Sequence, residues 1–406
     1  MKKLLLFLCL SVSINVFAQK DFRPGYIVLN SDTVKGFVKY QGDKASVEKC
    51  VFKKSLEDQE KRYFPTELNG YGFESGKKFE ALILPVNGGF QKSFFLNVLV
   101  KGKSSLYFYR DSTDFDRYYL KTDSGLKELK QDIRYEKMKD GRKFKTVDNS
   151  YHKVLMEAFT TCPSILERVK KTNFKESALV GIVASFNTCT TPGTSFYVRT
   201  PVKSKLSWGP FVGVNSSNLK ITGDIYLSKA DSYKSKISYH GGLFFNKTLP
   251  KVNEKISIQV EALFTRNKYI ATFAEQGNFG RMSNYDITFD ISYLNFPLLV
   301  RYRAASGKYK PFLNVGIVNG FAIKNKQEEV KTSTFGSSSY TDRNQPFKEF
   351  RNYSQALALG IGSYVPMAGA EKLNLELRYE IGNGFSKATQ IKTAVNTLSV
   401  NLGWQF

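Results

Sequence analysis

Eight segments in the second half of the chain alternate apolar and polar residues with a period of two, and this pattern constrains the fold most. Successive side chains of a strand point to opposite faces of a sheet, so each segment predicts a strand with one apolar and one polar face. The apolar sets that mark the strands fall at 208–214, 237–245, 256–264, 287–300, 309–317, 357–361, 373–381 and 398–406. We predict eight antiparallel strands between residues 205 and 406.

The lengths of the connections bear on which face is buried. Two architectures fit the alternation: a soluble sandwich or lipocalin-like barrel with its apolar face inside, and a transmembrane barrel with its apolar face outside. The connections at 249–254, 304–308 and 366–371 are short, whereas those between them are long, and the longest spans 325–352. All tight turns then lie at one end, together with both ends of the barrel segment. This asymmetry is typical of outer-membrane barrels, so we favour the transmembrane barrel.

The fourth segment contains an irregularity. Its apolar residues fall at odd positions from Ile287 to Tyr293 and at even positions from Leu294 to Val300. One extra residue in a strand exchanges its two faces, so the pattern predicts a β-bulge near Tyr293.

The first residues have the features of an export signal. Lys2 and Lys3 precede a mainly apolar run over 4–17, and the small residues Val16 and Ala18 stand before Gln19. A run this short, with these flanks, predicts a cleaved signal peptide over 1–18 rather than a membrane anchor.

The periodicity divides the rest of the chain into parts. Short strand-like runs broken by turn residues predict a β-rich domain over 19–150, which export would place in the periplasm. Apolar residues at three- and four-residue spacing predict a helical segment over 151–190. A Thr-, Pro- and Gly-containing stretch predicts a linker over 191–204, before the barrel at 205–406. The predicted fold class is mainly β.

Export also changes how the cysteines are interpreted, because disulfides form in oxidising compartments. Cys162 and Cys189 flank one helical stretch, and we predict a disulfide between them; two buried thiols are the alternative. Cys50 would then remain unpaired. Connectivity cannot be deduced from spacing alone.

Five charged residues share the polar face of the predicted strands: Glu261, Arg301, Glu376, Arg378 and Glu380. The interior of an eight-stranded barrel is only wide enough for side chains, so charges there must pair with one another. We predict a salt-bridged plug, and a narrow pore is the alternative.

The sequence offers little else that indicates catalysis. With two histidines and three cysteines beyond residue 18, it predicts no His/Cys metal site and no cofactor. His240 lies on the polar face of the second strand, and a barrel enzyme acting on lipid or peptide, with His240 as base beside Asp286 or Asp290, is the second hypothesis. We favour a non-enzymatic barrel that anchors the periplasmic domain and whose long exterior loops bind a partner or ligand.

The net charge of +24 does not indicate nucleic-acid binding. Basic residues are spread evenly over both halves, with no basic tail or arm. For an exported barrel the expected neighbours are lipid phosphates and acidic surface glycans.

Several motifs resemble the PorT-like outer-membrane β-barrel family over residues 205–406. They are YLNFPLLVRY at 293–302, KPFLNVG at 310–316, LELRY at 375–379 and LGWQF at 402–406. The resemblance implies an eight-stranded barrel that the outer-membrane assembly machinery inserts, with Phe406 as the residue recognised. The segments GYIVL at 25–29 and VLVKG at 98–102 resemble a domain that often precedes such barrels, to which no activity can be attached.

Overall fold

The computed structural model describes residues 21–30, 32–85, 90–137, 143–250, 252–277, 280–304, 309–367, 370–388 and 390–406. The predicted signal peptide lies outside these residues. The chain forms two compact units, one ending at Val202 and the other beginning at Lys203. We describe each unit by itself.

A broad antiparallel sheet forms the amino-terminal unit. Its order is β10-β9-β8-β7-β6-β5-β1-β2-β3-β4, β13 pairs with β7, and β11 pairs only with β12 among the described residues. The strands are β1 (Phe22–Leu29), β2 (Asp32–Lys39), β3 (Cys50–Lys53), β4 (Lys61–Tyr63), β5 (Gly70–Phe73), β6 (Lys78–Pro85), β7 (Gln91–Lys101), β8 (Ser105–Arg110), β9 (Asp116–Thr122), β10 (Gly125–Leu129), β11 (Asp132–Lys137), β12 (Lys143–Asp148) and β13 (Tyr197–Val198).

The helices of this unit pack on its sheet. They are α1 (Ala45–Glu48), α2 (Ser150–Ala158), a 3-10 turn (Pro163–Ile165), α3 (Leu166–Lys170) and α4 (Glu176–Thr190). One buried cluster joins Leu99 and Leu106 of the sheet to Leu155 and Val183 of the helices. The helical segment therefore shares its core with the β-rich part, because the apolar faces of its short helices are buried against the sheet. No described helix has the length and apolar character needed to cross a membrane.

The predicted linker at 191–204 is partly structured. Tyr197 and Val198 pair with Lys101 and Val100, which adds a short strand to β7. Composition indicated the turn at its start but not this pairing, which depends on a strand nearly a hundred residues earlier.

Cys162 and Cys189 form a disulfide in the structure, with their Cα atoms 6.3 Å apart. The bond joins the start of the 3-10 turn to the end of α4. Cys50 is a free, buried cysteine on β3.

Asp111 organises the turn between β8 and β9. Its carboxylate accepts hydrogen bonds from the Thr113 hydroxyl (2.7 Å), from Arg117 Nε (2.8 Å) and from the Phe115 backbone N–H (3.0 Å). Desolvation acts to raise the pKa of Asp111, but these bonds outweigh it and lower the pKa to about 2.

The second unit is an antiparallel barrel of eight long strands, as the alternation predicts. The order β14-β16-β17-β18-β19-β21-β22-β23 closes through pairing of β14 with β23, while β15 and β20 add short pairings. The strands are β14 (Leu206–Thr222), β15 (Tyr233–Ser235), β16 (Ser238–Thr248), β17 (Ile256–Gln276), β18 (Met282–Arg303), β19 (Lys310–Phe335), β20 (Ser338–Asn344), β21 (Tyr353–Met367), β22 (Ala370–Gly382) and β23 (Lys392–Trp404); a 3-10 turn spans Tyr226–Lys229.

The apolar faces of these strands point outward. Val212 and Leu357 are 60% and 66% exposed, whereas Gln259 and Glu261 on the inner face are 3% and 2% exposed. A soluble barrel requires the opposite arrangement, so that alternative is wrong. An exposed apolar wall around a polar interior is the arrangement of a transmembrane barrel.

A β-bulge is present near Tyr293, as predicted, because the register of β18 with β19 shifts between Ser292 and Tyr293, but the predicted exchange of the faces of β18 does not occur. Ser292 pairs with Lys324 and Tyr293 with Ala322, so the extra residue is Ile323 on β19. Odd-numbered residues of β18 face inward along its length, and Ile287 is fully buried. The sequence pattern misled because the interior changes from polar to apolar along the strand, not because the strand exchanges its faces.

Candidate functional site in the barrel lumen

Arg378 on β22 is the centre of a buried ion-pair network. It donates to Glu261 on β17 from Nη1 (2.8 Å) and Nη2 (2.7 Å), and to Glu376 from Nε (2.9 Å) and Nη2 (3.1 Å). All three side chains are about 2% exposed. These four bonds occupy most of the donors of the guanidinium group.

Arg301 on β18 extends the network. Its Nη2 lies 3.6 Å from Glu376 Oε2, its Nε donates to Asn314 Oδ1 (2.8 Å), and its Nη1 donates to the Tyr364 hydroxyl (2.6 Å). The guanidinium carbon also lies 3.8 Å from the centre of the Phe312 ring. With Asn314 on β19 and Tyr364 on β21, the network joins five strands across the lumen.

Glu380, the fifth predicted member, does not join this network. It follows Arg378 by two residues and faces inward, but it makes no hydrogen bond or ion pair with any described residue. The physical reason is the direction of Arg378, whose donors point to Glu261 and Glu376. Facing the lumen was predictable from alternation, whereas the direction of one long side chain was not.

Apolar side chains from the long connections fill the part of the lumen that lies toward those connections; we call them the loop plug. Leu227 and Tyr233 follow β14, Phe347 follows β20 and Phe385 follows β22. The Phe385 ring lies 5.5 Å from Phe289 on β18 and from Phe347. The sequence predicts these connections as exposed loops, but their apolar residues are buried in the barrel mouth. The apolar residues at the inward positions of β18 are the sequence signal that could have indicated this burial.

His240 is held between two amides. Its Nε2 lies 2.6 Å from Asn401 Oδ1 and its Nδ1 lies 3.2 Å from Asn215 Nδ2. The proposed partners Asp286 and Asp290 are on the outer face of β18, where Asp290 pairs with Arg266 (2.7 Å). Pairing of His240 with either aspartate is therefore wrong, because even-numbered residues of β18 face away from the lumen.

Phe406 lies beyond the end of β23 and is 65% exposed. Its backbone N–H donates to the Trp208 carbonyl (2.8 Å), and the two rings are 5.2 Å apart. Among the described residues, no three His, Cys, Asp or Glu side chains converge as a metal site.

Residues 194–389 match a family model described as an outer membrane protein beta-barrel domain. The match falls on the carboxyl-terminal unit and agrees with its transmembrane β-barrel fold. The finer resemblance to PorT-like proteins stays a prediction. No curated protein matches the sequence.

Three solved structures are similar to this chain over about half of its length. Ail, the attachment invasion locus protein of Yersinia pestis, solved with the heparin analogue sucrose octasulfate, is 13% identical, with 50% of this chain and 99% of that chain covered and a TM-score of 0.24. Neisserial surface protein A is 11% identical, with 50% and 99% covered and a TM-score of 0.23. OprG from Pseudomonas aeruginosa is 17% identical, with 49% and 96% covered and a TM-score of 0.26.

Proposed function

We propose that the barrel is a non-enzymatic membrane anchor for the amino-terminal domain. We further propose that its outer hairpins, the connections that follow β14, β17, β19 and β22, bind a partner. The observation that carries this proposal is the closed lumen. The ion-pair network centred on Arg378 fills one level of the barrel, and the loop plug fills another. Both ring nitrogens of His240 are engaged by amides, which supports a packing role for this residue rather than a catalytic one.

The direction of the chain supports a periplasmic position for the amino-terminal domain. Both β14 and β23 have their chain-terminal ends, Leu206 and Trp404, at the end of the barrel with the tight turns. In outer-membrane barrels that end faces the periplasm, and the longer connections face outward. The chain before Leu206 therefore enters the barrel from the periplasm.

Exposed side chains on the outer hairpins support a binding role. The hairpin of β19 and β20 presents Tyr340, which is 66% exposed, and Arg343 beside it is also exposed. We propose outer-membrane lipid and an unidentified protein as neighbours, with no role for nucleic acid. Phe406, exposed at the chain end, is proposed as the residue that the assembly machinery recognises.

Truncation in cells tests the anchor. A chain ending at Val202 should appear in the soluble periplasmic fraction, whereas the full chain and a barrel beginning at Lys203 behind the same signal should stay in the outer membrane. Protease added to intact cells should cleave the full chain only in its outer hairpins. Retention of the truncated chain in the membrane, or cleavage of the amino-terminal domain in intact cells, would refute the anchor.

Photo-crosslinking tests the partner. A photoreactive residue at Tyr340 should give a protein adduct in intact cells. The matched control is Leu357, which is equally exposed (66%) but lies on the lipid-facing wall. Absence of a protein adduct from position 340, or equal adducts from both positions, would exclude a protein partner at this hairpin.

A further inference from the structure

The charges in the middle of the lumen do not balance. Glu261 and Glu376 are buried and the inward-facing Glu380 is partly exposed, which gives three carboxylates, whereas Arg301 and Arg378 provide two cations. Because Arg378 is directed to Glu261 and Glu376, and Arg301 to Glu376, the excess negative charge is that of Glu380. A charge removed from water requires a counter-charge or must be neutralised.

Glu380 lines a cavity between the network and the loop plug, which we call the Glu380 chamber. Its polar wall includes Asn215, Asn267, Thr265 and Thr397, and the plug residue Phe385 also lines it. The cavity volume is 80 Å³, and a neighbouring cavity of 30 Å³ shares Asn215 and Glu380. One water needs roughly 10–15 Å³, so the chamber has room for several.

Two amide oxygens in the chamber wall have no partner. Asn215 and Asn267 are 4% and 8% exposed, and the Oδ1 atom of each makes no hydrogen bond within the described part of the chain. An unsatisfied buried acceptor destabilises the folded protein.

The hydrogen bonds of His240 fix which atom of Asn215 faces the chamber. In a neutral imidazole Nε2–H donates to Asn401 Oδ1, which leaves Nδ1 as an acceptor for Asn215 Nδ2. The remaining atom of that amide is its oxygen, and this oxygen is the unpartnered one. Asn215 on β14, Asn267 on β17 and Glu380 on β22 therefore bring three possible oxygen ligands to the wall of one chamber.

We propose that the Glu380 chamber is a cation site in which Glu380 supplies the charge and Asn215 and Asn267 supply neutral oxygens. Carboxylate, amide carbonyl and water oxygens are the ligands of hard cations such as Ca²⁺. A bound cation neutralises the excess carboxylate and satisfies both amide oxygens together. With one carboxylate the site is weak, and its dissociation constant for Ca²⁺ falls at roughly 10⁻⁴–10⁻³ M, the range of extracellular modules.

Calcium titration of the full chain tests the site. The purified protein, in detergent and choline chloride after chelator treatment, is incubated with calcium chloride, and binding is measured by calorimetry. The wild type should bind one Ca²⁺. E380Q, which keeps the shape but not the charge, and N267L should each bind at least about tenfold more weakly. The control E349Q, at an exposed position, should bind as the wild type does.

Two results would overturn the proposal. One is the absence of wild-type binding up to about 10 mM calcium, well above the expected dissociation constant. The other is equal binding by wild type and E380Q. Infrared spectroscopy adds an independent readout: a protonated-carboxyl band that is absent from E380Q and unaffected by calcium would show that a proton, not a cation, neutralises Glu380.

Discussion

Removal of the Arg378 guanidinium should strongly destabilise the barrel. In R378M, Glu261 and Glu376 lose four hydrogen bonds of 2.7–3.1 Å and remain buried without their shared cation. Breaking a buried ion pair by deleting one partner costs about 3–5 kcal/mol, and we expect a loss in this range.

A charge-matched double variant separates the ion pair from the volume of the side chain. E261Q/R378M removes one negative and one positive charge and leaves Glu376 beside Arg301. Because replacing both partners of a buried pair is often close to neutral, the double variant should recover most of the loss. R343M, which breaks an exposed pair with Glu328, should cost less than about 1 kcal/mol.

The assay is denaturant unfolding of the full chain in lipid vesicles, followed by tryptophan fluorescence. The two tryptophans of the sequence, Trp208 and Trp404, both lie on barrel strands, so this signal reports the barrel alone. If R378M unfolds within about 1 kcal/mol of the wild type, or if the double variant is no more stable than R378M, the reasoning about the network is refuted.

Three further predictions concern other parts of the chain. V400R places a cation on the lipid-facing wall and should cost the barrel about 2–4 kcal/mol in vesicle unfolding, whereas S339R on an outer hairpin should leave it unchanged; equal effects would contradict the wall assignment. C162A/C189A opens a loop and should destabilise the amino-terminal unit by about 2–4 kcal/mol, seen in tyrosine circular dichroism with no change in tryptophan fluorescence. The folded pKa of Asp111, about 2, lies below its usual 3.8, so its stabilisation is present above pH 3.8 and is lost as the pH falls toward 2. Hydrogen exchange of the β8–β9 hairpin should show this loss in the wild type and a flatter response in D111N.

Alternation predicted the barrel strands well because lipid on one side and a narrow polar lumen on the other impose a strict period of two. The same alternation placed four charged residues on the face that lines the lumen: Glu261, Arg301, Glu376 and Arg378. It could not show that Glu380 stands apart, since that depends on the direction of the Arg378 side chain.

Other features depend on contacts that local patterns do not record. The loop plug forms because the long connections fold back into the mouth, where Phe385 meets Phe289. The inward residues of β18 that pack against this plug are apolar. In the sequence, this pattern resembled an exchange of the two faces of the strand. In the amino-terminal unit, the pairing of Tyr197 with Lys101 joins residues far apart in the sequence.

Electrical conductance tests the closed-lumen anchor most directly. The full chain is inserted into planar lipid bilayers, with insertion verified by protease protection of vesicles prepared in parallel. The filled lumen predicts no steady conductance above that of the bare bilayer in wild type, E380Q or E349Q. Steady single-channel currents from the wild type would contradict a sealed barrel and favour a narrow pore.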